Sequence, residues 1–223
     1  MFRPNLTFSF LITILIVGYP FTLYPQIVQH LKKVIIIDPG HGGIDSGTTG
    51  VNRIVEKDVV FKIAKKMVYY NRYFPNNAFE IYLTRSTDTL ISLCDRVNLI
   101  NKLNADLFIS LHVNHSANHS VKGIEVYITE SDSQHANEAI FLAYSLQKAL
   151  SKNIGYESRG VKFANFQVLR GTIDQVPSVL IELGYLSNQD EAMFMDKEEN
   201  IQAIALTILQ SLKHYKMVEI NPQ

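Results

Sequence analysis

The stretch VIIIDPGHGGIDSGTTG, residues 34–50, runs from an apolar segment directly into a glycine-rich loop that contains a histidine. A short run that is wholly apolar is typical of a strand buried on both faces. Glycines let the backbone turn sharply where such a strand ends. The stretch therefore predicts a strand at 34–38, followed by a loop that presents His41 at the edge of a sheet. A histidine there could bind a metal ion or act as a general base, although a lone histidine is more often a packing or capping residue.

The same loop does not contain the parts of the two common phosphate-binding motifs. Counted from Gly40, a dinucleotide-binding fingerprint has Asp45 where its third glycine belongs. The segment from Gly42 to Gly47 has the spacing of a P-loop, but Thr48 stands where the lysine should follow. The glycines are therefore interpreted as a device for turning the backbone at the strand end.

The composition excludes several classes of protein and of site. The chain has 223 residues, enough for one core of ordinary size, and Lys+Arg and Asp+Glu balance at 21 each. Because that balance gives no electrostatic basis for binding nucleic acid, no nucleic-acid partner is expected. The one cysteine, Cys94, excludes an internal disulfide and a multi-cysteine zinc site. Since Cys94 lies within the helical pattern Leu93, Val97 and Ile100, we predict a buried structural thiol.

The first 29 residues differ from the rest of the chain. Arg3 precedes the densely apolar segment LTFSFLITILIVGY, which is the layout of an export signal. No A-x-A cleavage pattern follows, and the uncharged stretch is just long enough to span a bilayer, so an uncleaved anchor with membrane contact is the alternative. A buried first helix is disfavoured, because no polar residues alternate with the apolar ones. We expect an exported protein of the periplasm or cell envelope, with residues 1–29 as a cleaved signal peptide in preference to an anchor.

Beyond residue 33, strand-like apolar runs alternate with amphipathic helical patterns. Strands are predicted at 34–38, 79–84, 107–112, 123–129, 166–169 and 178–182, and helices around 57–74, 91–103, 136–151 and 199–215. This alternation predicts an α/β fold, with a single domain built on a mostly parallel, twisted sheet of about six strands with helices on both faces. Ligand sites in such folds lie outside the carboxyl ends of the strands.

Three predicted strand ends carry side chains that suit a metal site. His41 follows the first strand, and His112 and Glu182 end two later ones. Glu56, at the start of the first helix, is a fourth candidate, although the helix dipole alone favours a carboxylate there. Two imidazoles and one carboxylate form a catalytic zinc set with one position open for water. The second carboxylate would then be free to accept the proton of that water.

Three nearby polar residues are not assigned to this set. His115 and His119 lie three and seven residues beyond His112, but NHSANHS is loop composition, so both are expected to be solvated. Glu125, in GIEVY, is expected to face outward or to brace a metal ligand.

Several short blocks of sequence resemble those of a known family. The blocks are IDPGHGG, EKD, LTR, ADLFISLHVN, GIEVY, RGVK, VLR and PSVLIELGYLSN. They occur in the order seen in the zinc-dependent N-acetylmuramoyl-L-alanine amidases of bacterial cell walls, and the resemblance covers about residues 34–215. It implies that one Zn²⁺ is bound by His41, Glu56 and His112, and that Glu182 is the catalytic carboxylate. Arg170, in VLR, and Asn114, in LHVN, are expected to contact substrate.

The resemblance also implies an activity. Amidases of this family hydrolyse the amide between the lactyl group of N-acetylmuramic acid and L-alanine of peptidoglycan. Residues 30–217 are then expected to form the catalytic domain of a monomer, with 218–223 as a tail. The ligand types alone would also permit a zinc peptidase that cuts within the stem peptide. A non-catalytic wall-binding module is disfavoured, because all four site residues are present.

The connection after the GIEVY strand bears on regulation. Some relatives carry a long helical insertion there, which covers the zinc until an activator displaces it. Here ESDSQHANEAIFLAYSL follows Thr129, so only a short polar connection precedes the next helical pattern. Because such a connection has no apolar face with which to cover a groove, we expect an open site and no obligatory activator.

Overall fold

A computed structural model describes residues 32–74 and 79–220 of the chain. The strands of the described residues are β1 Lys33–Pro39, β2 Phe79–Leu83, β3 Leu107–Asn114, β4 Ile124–Ile128, β5 Ser158–Phe163 and β6 Ser178–Tyr185. They form one six-stranded sheet in the order β2-β1-β3-β6-β4-β5. All neighbouring strands are parallel except β4 and β6, which are antiparallel. The predicted α/β fold with a mostly parallel sheet is confirmed.

Six helices accompany the sheet within the described residues. They are α1 Glu56–Asn71, α2 Leu93–Leu103, α3 Ala136–Ile154, α4 Gln167–Arg170, α5 Gln189–Met195 and α6 Glu198–Ile220. Helix α2 begins after Ser92, whose side chain accepts a hydrogen bond from the backbone of Asp95, and it ends at Asn104 in the left-handed conformation. Both are common ways to satisfy backbone groups that a helix end leaves unpaired.

The sheet separates two apolar clusters, which explains why residues 34–37 of β1 are all apolar. Ile35 and Ile37 belong to the larger cluster, together with residues of α1, α3 and α6. Ile36, between them, belongs to the smaller cluster with Ile100 of α2 and Leu169 of α4. Because successive side chains of a strand point to opposite faces, a strand covered by helices on both sides needs apolar residues at every position.

The sixth strand is not the one that the sequence predicted. Residues 166–169 do not form a strand, because the backbone N–H groups of Leu169 and Arg170 both donate to the carbonyl of Phe166 and close a short helix. Val168 and Leu169 are buried in the smaller cluster through this turn. A short apolar run is compatible with either structure, and here the helical turn is formed. The strand that the sequence did not predict is β5, whose sequence SRGVKF has no apolar run, because β5 lies at one of the two edges of the sheet.

The prediction of a buried structural thiol is also wrong. Cys94 is a free, exposed cysteine. Helix α2 buries Arg96 and Ile100 against the sheet, which turns the first residues of the helix toward solvent. Arg96 therefore faces the sheet, although the apolar pattern predicted that Leu93 and Val97 would do so.

Two parts of the sequence interpretation fall partly or wholly outside the described residues. The segment 1–29 lies entirely outside them, so its role as signal peptide or anchor stays a prediction. Helix α6 continues to Ile220, beyond the predicted helix end at 215, and residues 221–223 of the predicted tail lie outside. Within the described ranges, none of the helices combines the length and the apolar character that a membrane span requires.

Candidate metal and catalytic site

The order of the strands brings the candidate residues to one edge of the sheet. β3 lies between β1 and β6 and is parallel to both, so the three carboxyl ends are adjacent. His41 follows β1, and His112 of β3 is the register partner of Glu182 of β6. Glu56 begins α1, after the loop that leaves β1. The expected convergence at the strand ends is therefore present.

The glycines of the first loop allow the site residues to approach one another closely. A Cβ atom on Gly40 would collide with the imidazole ring of His112, and one on Gly47 would collide with the carboxylate of Glu56. Gly47 also has a φ of 63°, and His41 itself has a φ of 59°, in the left-handed region. The glycines thus serve the packing of this side-chain cluster.

Three of the candidate side chains converge within the reach of one ion. Nε2 of His41 lies 3.1 Å from Oε1 of Glu56, and Nδ1 of His112 lies 2.9 Å from the same oxygen. The possible ligand atoms of His41, Glu56 and His112 all lie within 4.8 Å of one another. The other oxygen of Glu56 accepts a hydrogen bond of 2.9 Å from the backbone of Thr48, which fixes the orientation of the carboxylate.

The charges of this cluster are strongly coupled. Burial alone would raise the pKa of Glu56, but hydrogen bonds from His112 and His41 outweigh burial and hold that pKa well below its usual range. Burial would lower the pKa of His41, yet its hydrogen bonds with Glu56 and Asp45 raise the pKa to about 9. His41 is then protonated near neutral pH in the metal-free protein, and a metal ion would displace that proton.

Asp45 holds the ring of His41 from the side opposite Glu56. Its Oδ2 lies 2.9 Å from Nδ1 of His41, while its Oδ1 accepts a 3.1 Å hydrogen bond from the backbone of Gly47. A carboxylate in this position fixes the orientation of the imidazole and leaves Nε2 directed at the cluster.

Glu182 differs from Glu56 in the hydrogen bonding of its carboxylate. Its Oε2 is buried and has no hydrogen-bond partner among the described residues. Burial raises the pKa of Glu182 to about 7, with the electrostatic interaction with His112 opposing the shift and that with Glu56 reinforcing it. A bound cation nearby would lower this pKa by electrostatic attraction. A carboxyl with a pKa in this range can both accept and release a proton near neutral pH.

A cavity of about 610 Å³ opens beside these residues. His41, His112 and Glu182 line it together with apolar side chains, which include Leu90, Phe166 and Leu180. A mostly apolar cavity with a few convergent polar groups is the usual form of a ligand site. The cavity provides room for a substrate next to the carboxylate of Glu182.

The two expected substrate-contacting residues are not part of this lining. The guanidinium of Arg170 is exposed and donates to the backbone and side-chain oxygens of Asn165. Asn114 donates to Oε2 of Glu125. Their roles toward substrate stay predictions.

The expectations for the other nearby polar residues had mixed outcomes. His115 and His119 are exposed, as expected. Glu125 neither faces outward nor braces a metal ligand. It is 2% exposed and accepts hydrogen bonds from Asn114, Tyr127, Arg159, Lys162 and Tyr185.

Sequence reasoning missed a buried ion pair beneath the site. Arg96 and Asp38 are 3% and 1% exposed, and Nη1 of Arg96 lies 2.5 Å from Oδ1 of Asp38. Nη2 of Arg96 donates to the backbone carbonyl of His41 at 2.8 Å, so the arginine also holds the loop that carries this histidine. Two features of the sequence could have indicated this pair: Asp38 ends an apolar strand, and Arg96 lies between the apolar residues of the helical pattern of α2.

We predict that Arg96→Met lowers the free energy of unfolding by about 3–5 kcal/mol, because it leaves Asp38 buried without its ionic partner. Lys102→Met, an exposed position on the same helix, is the matched control and should change it by less than about 0.5 kcal/mol. Urea denaturation of both variants measures the difference. A loss below about 1 kcal/mol for Arg96→Met would show that the pair is not a main support of the loop.

Comparison with known proteins identifies the family. The N-acetylmuramoyl-L-alanine amidase family Amidase_3 matches residues 35–214. The chain belongs to this family. It is 37% identical over 183 residues to the N-acetylmuramoyl-L-alanine amidase LytC of Bacillus subtilis, covering 80% of this chain and 35% of LytC. It is 36% identical over 180 residues to the endolysin of Bacillus phage SPP1, covering 78% of this chain and 63% of the endolysin. The chain thus spans about one to two thirds of the length of these two curated relatives.

A solved structure of the Amidase_3 family has the same fold. The catalytic domain of CwlV, an N-acetylmuramoyl-L-alanine amidase from Bacillus (Paenibacillus) polymyxa, aligns with a TM-score of 0.74 at 34% sequence identity. The alignment covers 83% of this chain and 99% of that domain. The aligned part of this chain therefore has the fold of nearly the whole CwlV catalytic domain.

Proposed function

We propose that this chain is a zinc-dependent hydrolase that cleaves the amide between N-acetylmuramic acid and L-alanine in peptidoglycan. The observation that carries the proposal is the convergence of His41, Glu56 and His112 next to Glu182, whose buried Oε2 has no hydrogen-bond partner within the part of the chain that the structure describes. Membership of an amidase family supports the same activity.

The donor set of the cluster fits zinc. Two imidazole nitrogens and one carboxylate oxygen are the ligands of many catalytic zinc sites, in which a fourth position stays open. When bound, zinc would polarise the scissile carbonyl and lower the pKa of a coordinated water toward about 7. Asp45 would keep the Nε2 atom of His41 directed at the ion through the hydrogen bond at Nδ1.

Glu182 would move the proton during hydrolysis. Its Oε2 is free to accept a proton from water as the oxygen of that water bonds to the lactyl carbonyl carbon. The same carboxyl would then give the proton to the nitrogen of L-alanine as the C–N bond breaks. The products are the lactyl carboxylate on the glycan and a stem peptide with a free amino group. Because one chain supplies all four residues, a monomer is sufficient.

Peptidoglycan is the proposed partner, and its location accounts for the N-terminal sequence. The wall lies outside the cytoplasmic membrane, so the enzyme must be exported to reach it. The apolar segment behind Arg3 is therefore proposed to act as an export signal or as an anchor that holds the enzyme at the membrane surface.

Digestion of purified cell wall tests the activity. The zinc-loaded protein is expected to release intact stem peptides that begin with L-alanine and to leave unsubstituted glycan, as measured by mass spectrometry. Shortened stems that stay attached to muramic acid would instead indicate a peptidase. Unchanged wall after incubation with folded, zinc-loaded protein would contradict a catalytic role.

The site is expected to work without an activator. Only residues 129–135 connect β4 to α3, and no helix of the described residues lies within that connection. The fragment 30–223 should therefore hydrolyse wall material at a constant rate from the time of mixing, with Glu182→Gln as the inactive control. A folded, zinc-loaded fragment that stays inert until an envelope protein is added would contradict this prediction.

A further inference from the structure

Edge strand β5 presents two cations on one face because it contains a bulge. Arg159 and Lys162 are three positions apart, and in a regular strand their side chains would point to opposite faces. The register between β4 and β5 shifts after Ile124, so that Glu125 alone lies opposite both Arg159 and Gly160. Gly160 has a φ of 87°, a conformation that glycine adopts at such bulges. The extra residue brings both cationic side chains to the same face.

Glu125 holds the two cations in place. Its Oε1 accepts hydrogen bonds from Nε of Arg159 at 2.7 Å and from Nζ of Lys162 at 2.5 Å. The hydroxyl groups of Tyr127 and Tyr185 and the amide of Asn114 also donate to this carboxylate. With five donors, Glu125 has no capacity left for a ligand. Two cations share its single negative charge, so the cluster carries one positive charge in excess.

The excess charge is accessible. The side chains of Arg159 and Lys162 are 32% and 39% exposed, whereas that of Glu125 is 2% exposed. An ammonium has three N–H groups and a guanidinium has five, so each cation keeps donors beyond those that it directs at Glu125. An anionic group that approaches from solvent can therefore be bound by both side chains.

The cluster lies at a fixed distance from the catalytic carboxylate. Glu125 is the register partner of Glu182 in the antiparallel pair of β4 and β6, and residues opposite each other in such a pair share a face. β5 lies two strands from β6, but Arg159 and Lys162 both contact Glu125 on β4, which is only one strand, or about 5 Å, from β6. An extended residue spans about 3.5 Å, so an anionic group one or two residues from the scissile amide can reach the cluster.

We propose that Arg159 and Lys162 bind the free α-carboxylate of the second stem residue and so select stems in which this carboxyl is not amidated. This inference rests on the proposed amidase function. The second residue of the stem is joined to the third through its side-chain carboxyl, so its α-carboxyl is a branch two residues from the scissile bond. That branch is either a carboxylate or a neutral carboxamide, and only the carboxylate matches the excess positive charge.

Two synthetic muramyl peptides that differ only at this branch test the proposal. The wild-type protein is expected to have a kcat/KM about tenfold higher for the carboxylate than for the carboxamide, mainly through KM, with a preference that weakens as salt is added. Lys162→Met should remove most of the preference, while Arg159 still pairs with Glu125 and keeps the strand in place. Lys162→Arg should retain it, and Lys152→Met, exposed in the last turn of α3, is the matched control.

A purely structural role would give a different result. If Lys162→Met lowered kcat/KM equally for both substrates, or if the wild-type protein did not distinguish them, the inference would be wrong. If neither substrate is hydrolysed, the proposed function is wrong. Calorimetry then tests the inference separately by measuring the binding of the two free stem peptides. Tighter binding of the carboxylate form that Lys162→Met abolishes would support it, and equal binding would overturn it.

Discussion

Glu182→Gln is expected to keep its zinc while its turnover falls by roughly two to four orders of magnitude. Glutamine preserves the shape of the side chain but cannot accept a proton at the buried Oε2 position. The three proposed ligands are untouched, so the metal content, measured by elemental analysis, should equal that of the wild-type protein. Turnover is measured by the release of stem peptides from purified wall.

Glu130→Gln is the matched control for this variant. Glu130 is exposed and follows β4, outside the cavity, so the same change of charge there should leave turnover close to that of the wild-type protein. Loss of zinc from Glu182→Gln would show that Glu182 is a ligand. Near-normal turnover would show that another group moves the proton.

His41→Ala and His112→Ala are expected to lose most bound zinc and most activity together. Each removes one of the two imidazoles that contact Oε1 of Glu56 and that we propose bind the ion together with it. His115→Ala, which removes an exposed histidine three residues from His112, is the control and should bind zinc as the wild-type protein does. Dialysis against a chelator should inactivate the wild-type protein, and added zinc should restore its activity.

Stoichiometric zinc in both His41→Ala and His112→Ala would contradict the ligand assignment. Circular dichroism and zinc affinity do not depend on turnover, and together they distinguish the loss of a ligand from a folding defect. If the variants keep the far-ultraviolet circular dichroism of the metal-free wild-type protein but bind zinc more weakly in a competition titration, the loss belongs to the site. If both histidine variants are unfolded, Glu56→Gln tests the ligand assignment instead, and it should show the same loss of zinc affinity.

The sequence predicted the convergence of the site because parallel strands end at the same edge of a sheet. His41, His112 and Glu182 each lie where an apolar strand stops, and that rule was enough to bring them together. The order of the strands confirms it, since β3 lies between β1 and β6. The roles of Glu56 and Glu182 could not be separated by spacing, because both are carboxylates at the same edge. In the structure the difference is visible: Glu56 is in contact with both imidazoles, and one oxygen of Glu182 has no partner among the described residues.

Features that depend on tertiary contacts were not predictable in the same way. Residues 166–169 have the composition of a strand, but packing of Val168 and Leu169 on the smaller cluster favours a helical turn. Cys94 follows an apolar helical pattern and is nevertheless exposed, because the ion pair of Arg96 with Asp38 determines which side of α2 faces the sheet.

The environment of Glu125 is a further example. Its five hydrogen-bond donors come from four strands, and two of them share a face only because of the bulge at Gly160. A glycine within an edge strand was the only local sign of that bulge.

Hydrolysis of a defined muramyl peptide in ¹⁸O-labelled water shows directly which bond the protein cleaves. We expect one ¹⁸O atom to enter the lactyl carboxylate of muramic acid and the released peptide to have an unlabelled backbone with a free L-alanine amino group. Zinc-free protein should give no labelled product above background in the same time, and Glu182→Gln should give at most about one hundredth of the wild-type amount. Entry of the label into a carboxyl group of the stem peptide, with the lactyl amide intact, would contradict the proposed amidase activity.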